Sequence, residues 1–107
     1  QILYNLISNG LKYNESEPPV ITIAIEVREL DWCITVADNG IGISPKQRER
    51  VFRMFQRLHP RQKYPGTGIG LAMVHKIIQL HGGSIHIEDN DPQGSRFIFT
   101  LPKPTTE

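Results

Sequence analysis

Three alternating glycines, Gly66, Gly68 and Gly70, stand directly before an amphipathic stretch that runs to a glycine pair. Glycine loses more conformational freedom on folding than any other residue, so this cluster needs a physical reason. One reason is a flexible hinge. Another is an anion site, where bare backbone N–H groups and the positive end of a helix bind a phosphate. This stretch alone leaves both interpretations open.

A second polar group lies near the start of the chain. Asn5, Asn9 and Lys12 recur at intervals of four and three residues, with apolar residues between them at helical spacing. Residues at these intervals share one face of a helix. We therefore expect the two amides and the ammonium group to point into one cavity.

Two more clusters complete the set of residues that could carry chemistry. Asp38 ends an alternating apolar stretch and is followed by Gly40 and Gly42, which is compatible with an acidic site and also with a plain turn. Phe52 and Phe55 lie three residues apart before a basic segment, and both are typical of a core.

Hydrophobic periodicity predicts the elements that must position these clusters. Apolar residues at helical spacing predict helices, and strict alternation predicts strands. The predicted elements are a helix over 1–14, strands over 20–29 and 32–38, a short helix over 44–52, a helix from about 71 to 81, and strands over 84–89 and 95–101.

The ends of these elements also carry signals. Ser44, Pro45 and Gln47 predict a capping box at the start of the short helix. The basic, proline-containing segment 56–65 has no clear period and predicts a mobile loop. The glycine pair after residue 81 predicts a helix C-cap, and residues 102–107 predict a frayed tail.

The order of elements indicates the fold class. Neighbouring strands joined by tight turns are antiparallel, and helices grouped on one face of such a sheet make an α+β two-layer sandwich. A Rossmann fingerprint is disfavoured because no strand directly precedes the glycines at 66–70. A P-loop is excluded because no Gly-Lys-Ser/Thr follows them.

Composition narrows the class of protein. The 107 residues suit one domain with a modest core, and 38% apolar residues with a formal net charge of +1 are ordinary for a soluble protein and give no reason to expect nucleic acid. No apolar run approaches the ~20 residues needed to span a bilayer, and no signal peptide is evident. The single cysteine fits a reducing cytoplasm. The chain opens in mid-helix pattern, so we expect a fragment of a larger protein.

The four clusters resemble the N, G1, F and G2 boxes of sensor histidine kinases, within the wider group that includes gyrase, Hsp90 and MutL. The motifs NLISNGLKY, DNGIGI, VFRMFQRL and GTGIGLAMV occur in that order across essentially the whole chain. The stretch RLHPRQKYPGTGIGL is most similar to phytochrome-type and related multi-sensor kinases. The resemblance implies a Bergerat-type fold with a mixed, mostly antiparallel sheet. It also implies that residues 1–107 form one ATP-binding domain that lacks a strand and the start of the first helix at its N-terminal side.

The resemblance implies an adenine site. Asp38 would accept a hydrogen bond from the adenine amino group and would disfavour guanine, which presents a carbonyl there. Gly40 and Gly42 would let the backbone approach the base. Tyr13 would lie against the base, although a tyrosine that merely closes a helix end is an equal alternative.

The resemblance also implies sites for Mg²⁺ and phosphate. Asn9 would bind Mg²⁺ through its side-chain oxygen, which is a hard ligand for a hard ion, and Asn5 would support the metal. Lys12 would meet phosphate oxygens. The cradle for the phosphates at the start of the following helix would consist of Gly66, Thr67, Gly68, Gly70 and Leu71.

Residues 56–65 would form the ATP lid, and Phe52 and Phe55 would anchor it to the core. The candidate phosphate contacts in the lid are Arg57, Arg61 and Lys63. Solvated surface charge is the alternative interpretation of these basic residues, and we favour it for at least one of them.

One departure separates kinase from ATPase. The hydrolysing relatives place a glutamate one turn before the Mg²⁺ asparagine to activate water, whereas this chain has Asn5. An amide cannot accept a proton at neutral pH, so the pocket lacks a hydrolytic base. A second departure, Gly10 in place of the more usual alanine, should weaken the first helix by ~1 kcal/mol.

The leading interpretation is the catalytic domain of a sensor histidine kinase, which supplies the γ-phosphoryl group to a histidine on a separate dimerisation domain. None of His59, His75, His81 and His86 has the sequence context of a phosphoacceptor. The expected partners are the helical hairpin of the parent protein and a response regulator, with no nucleic acid or membrane contact and a monomeric, cytoplasmic fragment. The alternatives are a gyrase-, Hsp90- or MutL-type ATPase module and a degenerate, nucleotide-free interaction domain.

Overall fold

A computed structural model of the chain describes residues 1–48, 50–52 and 70–104. The elements are α1 (Ile2–Lys12), β1 (Ile21–Val27), β2 (Asp31–Asp38), 3₁₀ helices at Pro45–Gln47 and Arg50–Phe52, α2 (Gly70–Leu80), β3 (Ile85–Asp89) and β4 (Ser95–Pro102). The strands form one sheet in the order β1-β2-β4-β3. The predicted α+β two-layer class is confirmed, and each pairing within the described sheet is antiparallel rather than mixed.

The core lies between the helices and the central part of the sheet. Val36 of β2 faces Phe97 of β4 in the register, and both side chains are buried. From the helix layer, α1 contributes Leu6 and α2 contributes Val74 and Ile78 to the same cluster. The two helices therefore cover β2, β4 and part of β3.

Strand β1 is less well covered. Ile23, Ile25 and Val27 pair with inward-facing positions of β2, so they lie on the helix-bearing face of the sheet. Their exposed fractions are nevertheless 43%, 64% and 67%. The described helices thus leave an apolar strip open along this edge strand.

The end of α2 is closed by its glycine pair, as predicted. The Gly83 N–H donates to the Ile78 carbonyl at 2.9 Å, and the Gly82 N–H donates to the Gln79 carbonyl at 3.0 Å. This bonding pattern is the Schellman motif. No helix among the residues described is long and apolar enough to cross a membrane.

The short helix predicted over 44–52 is present as the two 3₁₀ helices, Pro45–Gln47 and Arg50–Phe52. The Gln47 N–H donates to the Ser44 carbonyl three residues earlier, which is the tighter 3₁₀ bond. The Ser44 hydroxyl bonds to the Gln47 side chain at 3.2 Å and caps no backbone N–H, so the predicted capping box does not form.

The predicted tail over 102–107 was wrong at its first two residues. Pro102 pairs with Asp31 at the end of β4, and the Lys103 N–H donates to the Leu30 carbonyl at 2.9 Å. These contacts extend the sheet past the predicted boundary. Residues 105–107 lie outside the described part of the chain.

The position of the core generates a stability prediction. We expect Ile78→Ala to lower the free energy of unfolding by ~2–5 kcal/mol, because Ile78 is 0% exposed and its loss leaves a cavity. The matched control is Leu80→Ala on the same helix, where a side chain that is 74% exposed should cost at most about 0.5 kcal/mol. Urea unfolding of the two variants measures the difference, and equal costs would contradict this placement of the core.

Candidate functional site

Asp38 is a buried acid at the end of β2, with 7% of its surface exposed. Its Oδ1 atom accepts hydrogen bonds from the Gly40 N–H at 2.9 Å and from the Ser95 N–H at 3.3 Å. Burial raises the pKa of the Asp38 carboxyl above its usual range, and these two backbone bonds oppose the rise. Both bonds reach the same oxygen, so Oδ2 is the oxygen that can accept from a ligand.

The C-terminal end of α1 lies against the loop that follows Asp38. The Ile41 N–H donates to the Tyr13 carbonyl at 3.1 Å. A Cβ atom at position 40 would lie 2.4 Å from the same carbonyl oxygen, so this close approach of two backbones requires Gly40. Tyr13 is thereby brought next to Asp38 and Gly40, which lie 25 or more residues later in the sequence.

The helix itself also packs closely on Asp38. A Cβ atom at Gly10 would lie 2.7 Å from the Ile21 Cδ1 atom and 3.1 Å from the Asp38 Cβ atom. The space that an alanine would occupy is therefore taken by these two side chains. Gly10 thus lets α1 pack directly on the end of β2.

The first helix presents its polar residues next to this acid. The Lys12 Nζ atom lies 5.3 Å from the centroid of the Tyr13 ring, within the range of a cation–π contact. Asn9, one turn earlier, is half-buried, and its side chain makes no hydrogen bond within the residues described. The Asn9 carboxamide can therefore bind a ligand without breaking such a bond.

Asn5 connects this face of α1 to the start of α2. Its Nδ2 atom donates to the Gln1 carbonyl at 3.0 Å. Its Oδ1 atom would lie 3.4 Å from a Cβ atom at Gly70, so the amide oxygen lies beside the first residue of α2. Leu71, the next residue, is half-buried and packs against the core cluster.

Asn39 was missed by the sequence analysis although it holds the loop after β2 in place. Its Oδ1 atom accepts from the Asn14 Nδ2 atom at 2.8 Å and from the Val20 N–H at 2.9 Å. Its own amide group donates to the Pro18 carbonyl at 3.1 Å. The richness of residues 14–19 in polar residues and proline signals a loop, but this pattern does not reveal which side chain the loop binds.

Several predicted site residues lie outside the described part of the chain. They are Phe55, the lid segment 56–65 with Arg57, Arg61 and Lys63, and the glycine-rich residues Gly66, Thr67 and Gly68. Phe52 is described, and it packs edge-on against Phe97 with ring centroids 6.5 Å apart. It also stacks on His75 at 5.2 Å. Phe52 therefore packs against the core, as predicted, and its role as an anchor of the lid stays a prediction because the lid segment lies outside the described residues.

The polar groups near Asp38 suit a ligand that carries both hydrogen-bond donors and negative charge. A buried carboxylate offers an acceptor at one end, and a lysine and two amides lie on the neighbouring helix face. Within residues 1–48, 50–52 and 70–104, no group of three or more His, Cys, Asp or Glu side chains could hold a metal ion.

Comparison with known proteins agrees with this geometry. The family model described as histidine kinase-, DNA gyrase B-, and HSP90-like ATPase matches residues 1–105. Cyanobacterial phytochrome A of Nostoc sp. is 47% identical over 102 residues, which cover 95% of this chain and 13% of that protein. Sensor histidine kinase WalK of Bacillus subtilis is 42% identical over 106 residues, which cover 95% of this chain and 17% of that protein.

A solved structure extends the likeness to three dimensions. The crystal structure of full-length ShkA in complex with AMPPNP matches with a TM-score of 0.82 at 28% identity, covering 98% of this chain and 21% of that one. The fold and the site define an ATP-binding α+β domain. The chain belongs to the family of histidine kinase-, DNA gyrase B- and HSP90-like ATPases, and within it to the catalytic domains of sensor histidine kinases. It spans only 13% and 17% of the two curated relatives.

The raised pKa of Asp38 generates a prediction for stability against pH. Because the folded state binds this proton more tightly than the unfolded state, stability is lost as pH rises from the unfolded pKa of about 4 through the raised value. We therefore expect Asp38→Asn to gain stability relative to the unsubstituted domain as pH rises from 3 to 7. Thermal melting over this range measures the gain.

The control for this experiment is Asp31→Asn. The Arg28 side chain hydrogen-bonds Asp31 and lowers the pKa of its carboxyl, so the sign is opposite. This variant should lose stability relative to the parent chain over the same rise in pH. If the melting temperatures of Asp38→Asn and of the unsubstituted domain change in parallel with pH, the result would contradict the cost assigned to burying Asp38.

Proposed function

We propose that this domain binds Mg·ATP and supplies the γ-phosphoryl group to a histidine on a separate helical dimerisation domain of the same parent protein. The observation that carries the proposal is the buried Asp38 carboxylate, with Oδ1 held by two backbone N–H groups and Oδ2 outside those bonds. The membership in the histidine kinase-like family supports the same role.

Asp38 would recognise adenine. Its Oδ2 atom would accept a hydrogen bond from the exocyclic amino group, which is strengthened by the charge of the carboxylate. Guanine presents a carbonyl oxygen at that place and would repel the same carboxylate. The closeness of Tyr13 to Gly40 supports a contact between the tyrosine and the base, and Gly42 would line the same edge.

Mg²⁺ and the phosphates would bind toward α2. The Asn9 amide oxygen suits Mg²⁺, which takes few protein ligands and completes its shell with phosphate oxygens and water. Asn5 supports this end because its Oδ1 atom lies beside Gly70. Bound Mg²⁺ would neutralise charge on the phosphates, and Lys12 would pair with their oxygens. Further proposed contacts are Arg57, Lys63, Gly66, Thr67, Gly68 and Leu71.

The same residues favour transfer to a protein over hydrolysis. The Asn5 side chain is an amide, which is not basic at neutral pH, so it cannot take a proton from water. Phosphoryl transfer depends mainly on the position of the acceptor and on charge stabilisation. A domain that holds ATP without its acceptor would therefore be nearly idle.

The remaining proposals concern the parent protein. The acceptor histidine would lie on its helical hairpin, a response regulator would act downstream, and the domain would work in the cytoplasm, where ATP is available. By itself the domain would be a monomer. The exposed apolar side chains of β1 support the further proposal that additional chain of the parent protein completes the domain at this edge.

Nucleotide binding is the first test of this function. We expect titration calorimetry to show Mg·ATP binding in the micromolar to millimolar range and weaker binding of Mg·GTP. Asp38→Asn should weaken Mg·ATP binding by roughly 10- to 150-fold, because it removes a charge-assisted hydrogen bond worth ~1.5–3 kcal/mol. Asp31→Asn, which removes a surface acid, is the control with unchanged affinity. Equal affinities for the two nucleotides would refute the adenine site.

Phosphoryl transfer is the second test. We expect very slow phosphate release from the isolated domain and label transfer from γ-labelled ATP to a histidine when the parent protein's helical hairpin is supplied in trans. The reason is the absence of a base at position 5 together with the absence of an acceptor histidine in a suitable context. Rapid hydrolysis that Asn9→Ala abolishes would instead favour an ATPase. Absence of transfer while ATP binds would favour a degenerate domain.

A further inference from the structure

The turn between β3 and β4, residues 90–94, holds the peptide groups that follow β2. The Asn90 Nδ2 atom donates to the Asp38 carbonyl at 2.8 Å. The Gln93 Nε2 atom donates to the Asn39 carbonyl at 3.2 Å and to the Gly40 carbonyl at 3.0 Å. Two side-chain amides of this distant turn therefore bind three successive carbonyls around the buried acid.

The same turn also touches the acid directly. Ser95, at the start of β4, donates its N–H to the Asp38 Oδ1 atom. Gly94 has a φ of +107°, and a Cβ atom there would lie 2.0 Å from the Asp38 carbonyl oxygen. Only glycine permits both this backbone conformation and this approach. The turn is thus packed against Asp38 on its backbone and on its side chain.

These contacts act on the orientation of the carboxylate. Gly40 supplies one of the two N–H groups that hold Oδ1, and that N–H lies in the same peptide plane as the Asn39 carbonyl, which Gln93 binds. On the other side, the Asn39 side chain is tied to the segment after α1. A shift of the turn would therefore rotate the Gly40 N–H and move Oδ2.

We infer that Asn90 and Gln93 are positioning residues for nucleotide recognition: by holding the carbonyls of residues 38–40, they set where Asp38 presents Oδ2 and thereby set the preference for adenine over guanine. This inference rests on the proposed function. Neither residue need touch the nucleotide, because each acts through Asp38 and the Gly40 N–H.

The test replaces each amide by a carboxylate of the same shape. Gln93→Glu and Asn90→Asp keep the size of the side chain and remove the donor that faces the carbonyls. Gln79→Glu on the exposed face of α2 adds the same charge away from the site and is the matched control. Gln93→Arg keeps N–H donors at position 93, so it should show the preference for adenine over guanine that Gln93→Glu loses.

The decisive quantity is the ratio of the dissociation constants for Mg·GTP and Mg·ATP. The two nucleotides carry the same phosphate charge, so a general effect of the new carboxylate cancels in this ratio. We expect Gln93→Glu and Asn90→Asp each to reduce the ratio by about 3- to 10-fold, which corresponds to the loss of about one hydrogen bond. Gln79→Glu should leave it unchanged.

A second measurement separates this inference from the proposed function. In ¹⁵N-labelled protein, Gln93→Glu should shift the amide resonance of Gly40 in the absence of nucleotide, whereas Gln79→Glu should not. If the unsubstituted domain binds neither nucleotide, the proposed function and the role of the turn in base preference both fail. In that case the Gly40 resonance alone reports whether the turn positions the loop.

If Asn90 and Gln93 only stabilise the fold, a different set of results is expected. In that case both variants lower the melting temperature but, at temperatures where they remain folded, keep the nucleotide ratio and the Gly40 resonance of the parent chain. That combination would overturn the inference. A changed ratio that Gln93→Arg restores would support it.

Discussion

The burial of one carboxylate at the end of a central strand governs the arrangement of this domain. A buried charge is costly unless hydrogen bonds compensate for it, and Asp38 receives two of them on one oxygen. Burial nevertheless raises its pKa, so the compensation is incomplete. An acid in this state has a remaining acceptor oxygen that a hydrogen-bond donor from outside the chain can satisfy.

The groups that surround this acid come from distant parts of the chain. Helix α1 packs on it through Gly10, the segment after α1 is tied to Asn39, and the turn before β4 holds the adjacent peptide groups. Within the residues described, the groups that hydrogen-bond to Asp38 and its peptide neighbours are neutral amides, hydroxyls and backbone N–H groups.

Much of the domain could be predicted from the sequence because the relevant signals are local. Alternation predicted the two hairpins, helical spacing predicted both helices, and the glycine pair predicted the cap of α2. The spacing of Asn5, Asn9 and Lys12 predicted that they share one face of α1. The capping box at Ser44 was wrong: the backbone there closes into a 3₁₀ helix and the Ser44 side chain caps no backbone N–H. The prediction of a tail likewise ignored a contact between Lys103 and Leu30.

The sequence by itself determined the class of fold and the family, because ordered motifs and periodicity depend on residue types and short intervals. Only the tertiary structure decided which oxygen of Asp38 is held, that Asn39 secures the loop, and that Asn90 and Gln93 bind its carbonyls. The bonds from Asn90 and Ser95 to Asp38 join residues 52 and 57 positions apart. Such pairs leave no pattern in a single sequence, because packing of the helices and strands, rather than local spacing, brings the atoms within reach.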